Sequence, residues 1–177
     1  MQLEQRLEAA CGQEAMSLVV AALTISRIPY GRPSRLTAAG VLDDWRGTCS
    51  TKHALLAQVV GEAWPEAEPK LWHRVYTITR GLAEAYWGPA VAGRVPSSGL
   101  VDVHTYATLL IGARNVRVDV TFALASWDGV SDVPLACGDG VDSPAGDQPI
   151  ASKVALVAEH CDSARRERFI AALSLVQ

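Results

Sequence analysis

Apolar and polar positions along the chain alternate first with a helical and later with a strand period. Leu3, Leu7 and Ala10 fall at helical spacing in "MQLEQRLEAAC", with Gly12 as an interruption. "QEAMSLVVAALTISRI" carries a stronger helical pattern through Met16, Val19, Val20 and Leu23, ending near Ser26 and Arg27. "IPYGRPSR", with two prolines and a glycine, breaks it. Leu55, Leu56, Val59, Val60 and Ala63 then form an apolar stripe that predicts a helix over 49–63, closed by "WPEAEPK". "LWHRVYTIT" alternates as a half-buried strand should, and the stretch from Ala85 to Gly99 reads as irregular.

The clearest sheet signal comes next. "LVDVHTYATLLI" and "NVRVDVTFAL" are rich in β-branched and aromatic residues and are separated only by "GAR", which predicts an antiparallel hairpin. Residues 126–149 hold five aspartates among glycines and prolines and read as a long solvated loop. "KVALVAEHCDSARRERFIAALSLV" reads as a helical tail, with "RRER" an exposed face. Helices come mostly first and strands later, with no repeat and no linker. The expected architecture is one α+β domain over 1–177, its N-terminal helices packed on an antiparallel sheet.

Composition narrows the classes. At 177 residues, about half hydrophobic and with a formal charge of −3, the chain has no general basic surface to attract nucleic acid. It contains no apolar run long enough for a membrane span. The charged N-terminus lacks the n-region and h-region of a signal peptide, so the expected address is the cytoplasm. The four cysteines at 11, 49, 137 and 161 form no CxxC pair and are expected to stay reduced there.

One cysteine stands out. Cys49 follows Gly47 and Thr48 where a helix begins, instead of sitting inside an apolar run. Unpaired N–H groups and the positive end of the dipole favour a thiolate there, and Lys52 in the first turn would add to the effect. Thr48 is the expected N-cap, its side-chain oxygen accepting from the first turn. On the hairpin, a turn centred between Ile111 and Gly112 puts His104 directly opposite Asp119, and one centred on Ala113 and Arg114 offsets them; the pattern allows both. Together these residues supply the parts of a thiol mechanism: Cys49 as nucleophile, His104 as general base and acid, Asp119 orienting the ring, and the Cys49 N–H helping to bind an oxyanion.

"GTCSTKHALLAQVV", "DVHTYATLLI" and "NVRVDVTF" together resemble the transglutaminase-like superfamily of papain-like cysteine enzymes. That family places G-x-C at a helix start, then a histidine on one strand and an aspartate on the next. Cys49, His104 and Asp119 match in that order, with Gly47 on the family glycine; the matched core is about 45–123. The chain departs from the pattern at Thr105, where the family often has an aromatic, and at Lys52. The resemblance implies a papain-like, transglutaminase-like fold. It also implies a thiol-dependent acyl transfer or a hydrolysis of an amide or thioester through an acyl-enzyme. The substrate would be a small molecule, a peptide or a carrier-bound acyl group, with no cofactor and no metal required. Tyr30, Trp45 and Trp87 flank the site in sequence and are the candidates to line its cleft. Two alternatives stand beside this reading: an idle binding module on the same fold, and a metal site in which His53 joins Cys49, His104 and Asp119. The oligomeric state is open.

Overall fold

The computed structural model describes residues 2–12 and 16–176. Residues 13–15, where the second predicted helix was to open, lie outside these. Four helices come first: α1 (Leu3–Cys11), α2 (Leu18–Arg27), α3 (Ala38–Asp44) and α4 (Cys49–Ala63). Strand β1 (Lys70–Ile78), helices α5 (Arg80–Trp87) and α6 (Pro89–Ala92), and strands β2 (Leu100–Ile111) and β3 (Arg114–Val118) follow. Strand β4 (Gly140–Pro144) and helices α7 (Pro149–His160) and α8 (Ser163–Leu173) complete an α+β arrangement. Among the described residues no helix is long and apolar enough to cross a membrane.

Helix α4 is the organising element. Leu55, Leu56, Val59 and Val60 are fully buried and pack with Ala21, Ala22 and Ile25 of α2, Val41 of α3, and Ala107, Leu109 and Val116 of the sheet. Burying each of these larger side chains removes apolar surface worth about 1.5–3 kcal/mol. Ser17 caps α2 by accepting from the Val20 N–H at 3.2 Å. The sheet is antiparallel throughout, in the order β3-β2-β1-β4.

Its hairpin register lies between the two allowed by the sequence. Ile111 pairs with Arg114 across a two-residue turn, with Gly112 at φ 61° in the first turn position. Ala107 therefore pairs with Val118, and Asp119, one residue beyond the strand, is level with Tyr106. His104 and Asp119 are diagonal neighbours and not a directly opposed pair.

Four stretches differ from the sequence expectation. A short helix, α3, occupies residues after the proline-rich break. The segment expected to be irregular after Ala85 holds the end of α5 and all of α6. Ala83, Trp87, Val91 and Ala92 bury against Phe169, Ile170 and Leu173 of α8, so these helices have an apolar partner far along the chain. Within the long acidic loop, β4 pairs with β1, and Asp142 holds Arg74 through two hydrogen bonds of 2.7 Å. The tail is two helices, broken at Asp162, whose carboxylate caps α8 by accepting from the Arg165 N–H at 3.0 Å.

Candidate active site

Cys49 is the first residue of α4 and is 5% exposed. The entry is fixed from two sides. The "IPYGR" segment runs alongside "RGTC" as a parallel bridge between Tyr30 and Gly47, with the Gly31 N–H donating to the Gly47 carbonyl and the Gly47 N–H to the Pro29 carbonyl, each at 3.1 Å. Thr48 is the N-cap residue of a capping box: its side chain accepts from the Thr51 N–H, and in return Thr51 Oγ1 accepts from the Thr48 N–H at 2.9 Å.

Lys52 does not face the sulfur. Its buried ammonium donates to the carbonyls of Ser26, Ile28 and Thr121 at 2.8, 2.8 and 2.9 Å, joining the end of α2, the start of α4 and the chain after β3. Burial pulls its pKa down to about 7 against the charges of Asp119 and Cys49, while three carbonyl acceptors call for all three ammonium protons. The stem of Lys52 also explains Gly47: a Cβ there would stand 2.5 Å from Lys52 Cγ.

His104 and Asp119 meet across the diagonal. The His104 Nε2–H donates to Asp119 Oδ2 at 2.7 Å, which leaves Nδ1 for the side of Cys49. Asp119 is almost wholly buried and further held by the Thr121 N–H at 2.9 Å and the Ala136 N–H at 2.8 Å. Ala136 belongs to the acidic loop, so that loop braces the carboxylate. Burial opposes ionisation of Asp119, but His104's charge and hydrogen bond outweigh it and hold the pKa far below the usual carboxylate range. Burial likewise opposes the imidazolium, yet Asp119 and Cys49 raise His104 well above its ordinary value.

The hydrogen bond to the sulfur comes from a residue that the sequence reading missed. Lys153 of α7, itself buried, donates from Nζ to Cys49 Sγ at 2.8 Å. Burial pushes the Cys49 thiol up, and Asp102 adds to that; the charge of Lys153 and then the neighbouring His104 overcome both and bring it down to about 6. Among the described residues no bond of standard geometry joins His104 to the sulfur, so Lys153 is its immediate counter-ion. A thiolate between two cations at a helix N-terminus can act as a nucleophile near neutral pH.

The remaining buried histidines are committed elsewhere. His53 donates from Nδ1 to the Cys49 carbonyl at 2.7 Å and accepts at Nε2 from the Val120 N–H at 3.0 Å. Both ring nitrogens are used, burial brings the pKa down to about 4, and the neutral ring supports the first turn of α4. Among the described residues no group of three or more His, Cys, Asp or Glu is arranged to hold a metal ion. His73 accepts at Nδ1 from Thr105 at 3.1 Å and donates from Nε2 to the Pro149 carbonyl at 3.0 Å, pinning the start of α7 and with it Lys153.

A cavity of about 200 Å³ opens beside the cysteine, lined by Thr48 and Ser50 on either side of it and by Tyr30, Lys153 and Arg166. Of the three aromatic candidates, only Tyr30 reaches this wall. Trp45 is the partly exposed C-cap of α3, in a left-handed conformation at φ 46°. Trp87 packs edge-on to Phe122 and Phe169 in the core. Arg166, within the "RRER" expected to be exposed, is buried and donates from Nε to Asp102 Oδ1 at 2.5 Å. Lys153 and Arg166 share a sequence signal that the reading passed over. Each stands in its helix's apolar stripe: Lys153 three residues after Ile150 and four before Val157, Arg166 ahead of Phe169, Ile170 and Leu173.

Comparison of the chain with protein-family models, with curated proteins and with solved structures found no match in any of the three.

Proposed function

We propose that this chain is a thiol-dependent acyltransferase or hydrolase of the papain-like, transglutaminase-like kind. The observation that carries the reading is the buried constellation at one helix N-terminus: Cys49 with Lys153 at 2.8 Å, and His104 held by Asp119 at 2.7 Å. In the proposed cycle the Cys49 thiolate attacks the carbonyl carbon, forming a C–S bond. The carbonyl oxygen takes the electron pair, and the first-turn N–H groups of α4 with Lys153 stabilise the resulting oxyanion. His104 gives its proton to the leaving group as the carbonyl bond to it breaks. The imidazole then takes a proton from the incoming acceptor, which attacks the acyl-enzyme and expels the thiolate. Asp119 keeps the ring oriented and favours its charged form throughout. Four unpaired cysteines fit a reducing compartment such as the cytoplasm.

The test is acylation of the protein by a panel of aryl esters and thioesters, followed by intact mass and release of the leaving group. Expected is a single adduct on Cys49 in the wild type, none in Cys49→Ala, and strongly slowed formation in His104→Ala, with all three proteins folded. An adduct that persists in Cys49→Ala would overturn the mechanism.

One observation favours a second reading, the idle binding module. The sulfur is almost wholly enclosed, with Lys153 across it. On that reading Cys49 is a structural anion, and no probe of the panel would acylate it.

A further inference from the structure

The cavity beside Cys49 has polar groups that the acyl mechanism does not use. Arg166 is held by Asp102 through Nε alone, and among the described residues neither of its Nη groups makes a hydrogen bond. Nη1 stands 3.8 Å from Glu167 on the exposed rim, where Glu167 is engaged by Arg32 Nη2 at 2.5 Å. Tyr30 also lines the cavity, is 7% exposed, and among the described residues its hydroxyl has no hydrogen-bond partner. A buried guanidinium whose remaining face is free, with a hydroxyl donor beside it, is a ready fork for a planar anion. Ile150 and Val157 of α7 and Ile170 of α8 give the wall an apolar side, while Thr48, Ser50 and Lys153 line the part beside Cys49. The volume of about 200 Å³ is that of roughly six or seven waters, which suits one short chain.

Hydrogen-bond geometry and repulsion select the kind of anion. Arg32, Lys153 and Arg166 are each already paired with one anion, Glu167, Cys49 and Asp102. What Arg166 has left over is therefore a pair of donors and not a spare charge. A singly charged planar carboxylate matches that fork, whereas a doubly charged phosphate would be repelled more strongly by Asp102 and Glu167.

We infer that this cavity is a carboxylate subsite: Arg166 and Tyr30 bind the free carboxylate of a short acyl substrate whose carbonyl is presented to Cys49. The substrate class rests on the acyl reading above, and the test separates the two. In the first arm, saturation-transfer NMR compares butyrate with butyramide, which has the same shape without the charge. Expected is butyrate binding to the wild type at least about tenfold tighter than butyramide. Arg166→Lys keeps a cation beside Asp102 but loses the fork, and should abolish the preference. Tyr30→Phe leaves the Asp102 pair untouched and should weaken butyrate severalfold, which keeps the test decisive if Arg166→Lys does not fold. In the second arm, succinyl and pentanoyl thioesters of N-acetylcysteamine compete to acylate Cys49, and the succinyl group is expected to win by about tenfold. Equal binding of butyrate and butyramide, or equal acylation by both thioesters, overturns the carboxylate subsite and leaves the acyl chemistry standing. Selective butyrate binding with no acylation by either thioester upholds the subsite and overturns the acyl chemistry.

Discussion

Replacing Lys153 with methionine keeps the length and apolar stem of the side chain while removing the charge that faces Cys49 Sγ at 2.8 Å. Two opposite charges about 4 Å apart attract by about 4 kcal/mol at an effective dielectric of about 20, or about three pKa units. Lys153 is the largest influence holding the thiolate against burial, so its loss should carry Cys49 from about 6 to at least the free-cysteine value of about 8.5. The assay is the rate of Cys49 alkylation by iodoacetamide across pH 5–10, followed by peptide mass, with Cys11 and Cys161 as internal references. The position of the inflection is the readout. A rate at one pH would mislead, because a thiolate of higher pKa is intrinsically more nucleophilic and part of the loss is hidden. His104→Ala should move the inflection the same way by a smaller amount. An inflection that stays near 6 in Lys153→Met and moves only in His104→Ala would refute the assignment of Lys153 as counter-ion.

Asp119→Asn keeps the shape but removes the charge, so His104 should lose its raised pKa and acylation should slow strongly without vanishing, measured by single-turnover release from a reactive thioester. His53 and His73 are both drawn down to about 4, below an unfolded value of about 6.5. Each therefore contributes up to about 3 kcal/mol that is fully present above pH 6.5 and lost as pH falls through 4. Urea midpoints should drop across that window, less steeply in His73→Gln, and a flat profile would contradict the buried neutral rings. Lys52→Met strands three carbonyls and should cost at least about 3 kcal/mol in urea unfolding. Gly47→Ala presses a methyl group on the Lys52 stem and should cost about 1–3 kcal/mol in the same assay.

Local pattern sufficed for what is locally determined. Helix α4 spans the expected residues because its stripe, its threonine entry and its break at Trp64 agree, and the β2–β3 hairpin follows from two β-rich runs with a glycine between them. The positions of Cys49, His104 and Asp119 were legible because each sits in such a segment. What escaped has a non-local cause. Strand β4 is mostly exposed, with a glycine, an aspartate and a proline, and is a strand only because β1 offers it an edge. Helices α5 and α6 are held by α8, far along the chain. The hairpin register turned on which two residues form the turn, and periodicity left that open. Lys153 and Arg166 were passed over because a basic residue on a helix is ordinarily taken as solvated. Their places within apolar stripes, like that of Lys52, marked them as buried cations in need of partners.

The bond from Lys153 to Cys49 spans 104 residues of chain. A ribosome delivers the cysteine, its helix and the whole hairpin long before it delivers α7. Until that helix docks, the sulfur lacks its nearest positive charge and behaves as an ordinary thiol. The charge that lowers this thiol is thus supplied later in the chain than the rest of its surroundings, and a chain truncated before residue 149 would carry Cys49, His104 and Asp119 with a thiol titrating near the free-cysteine value.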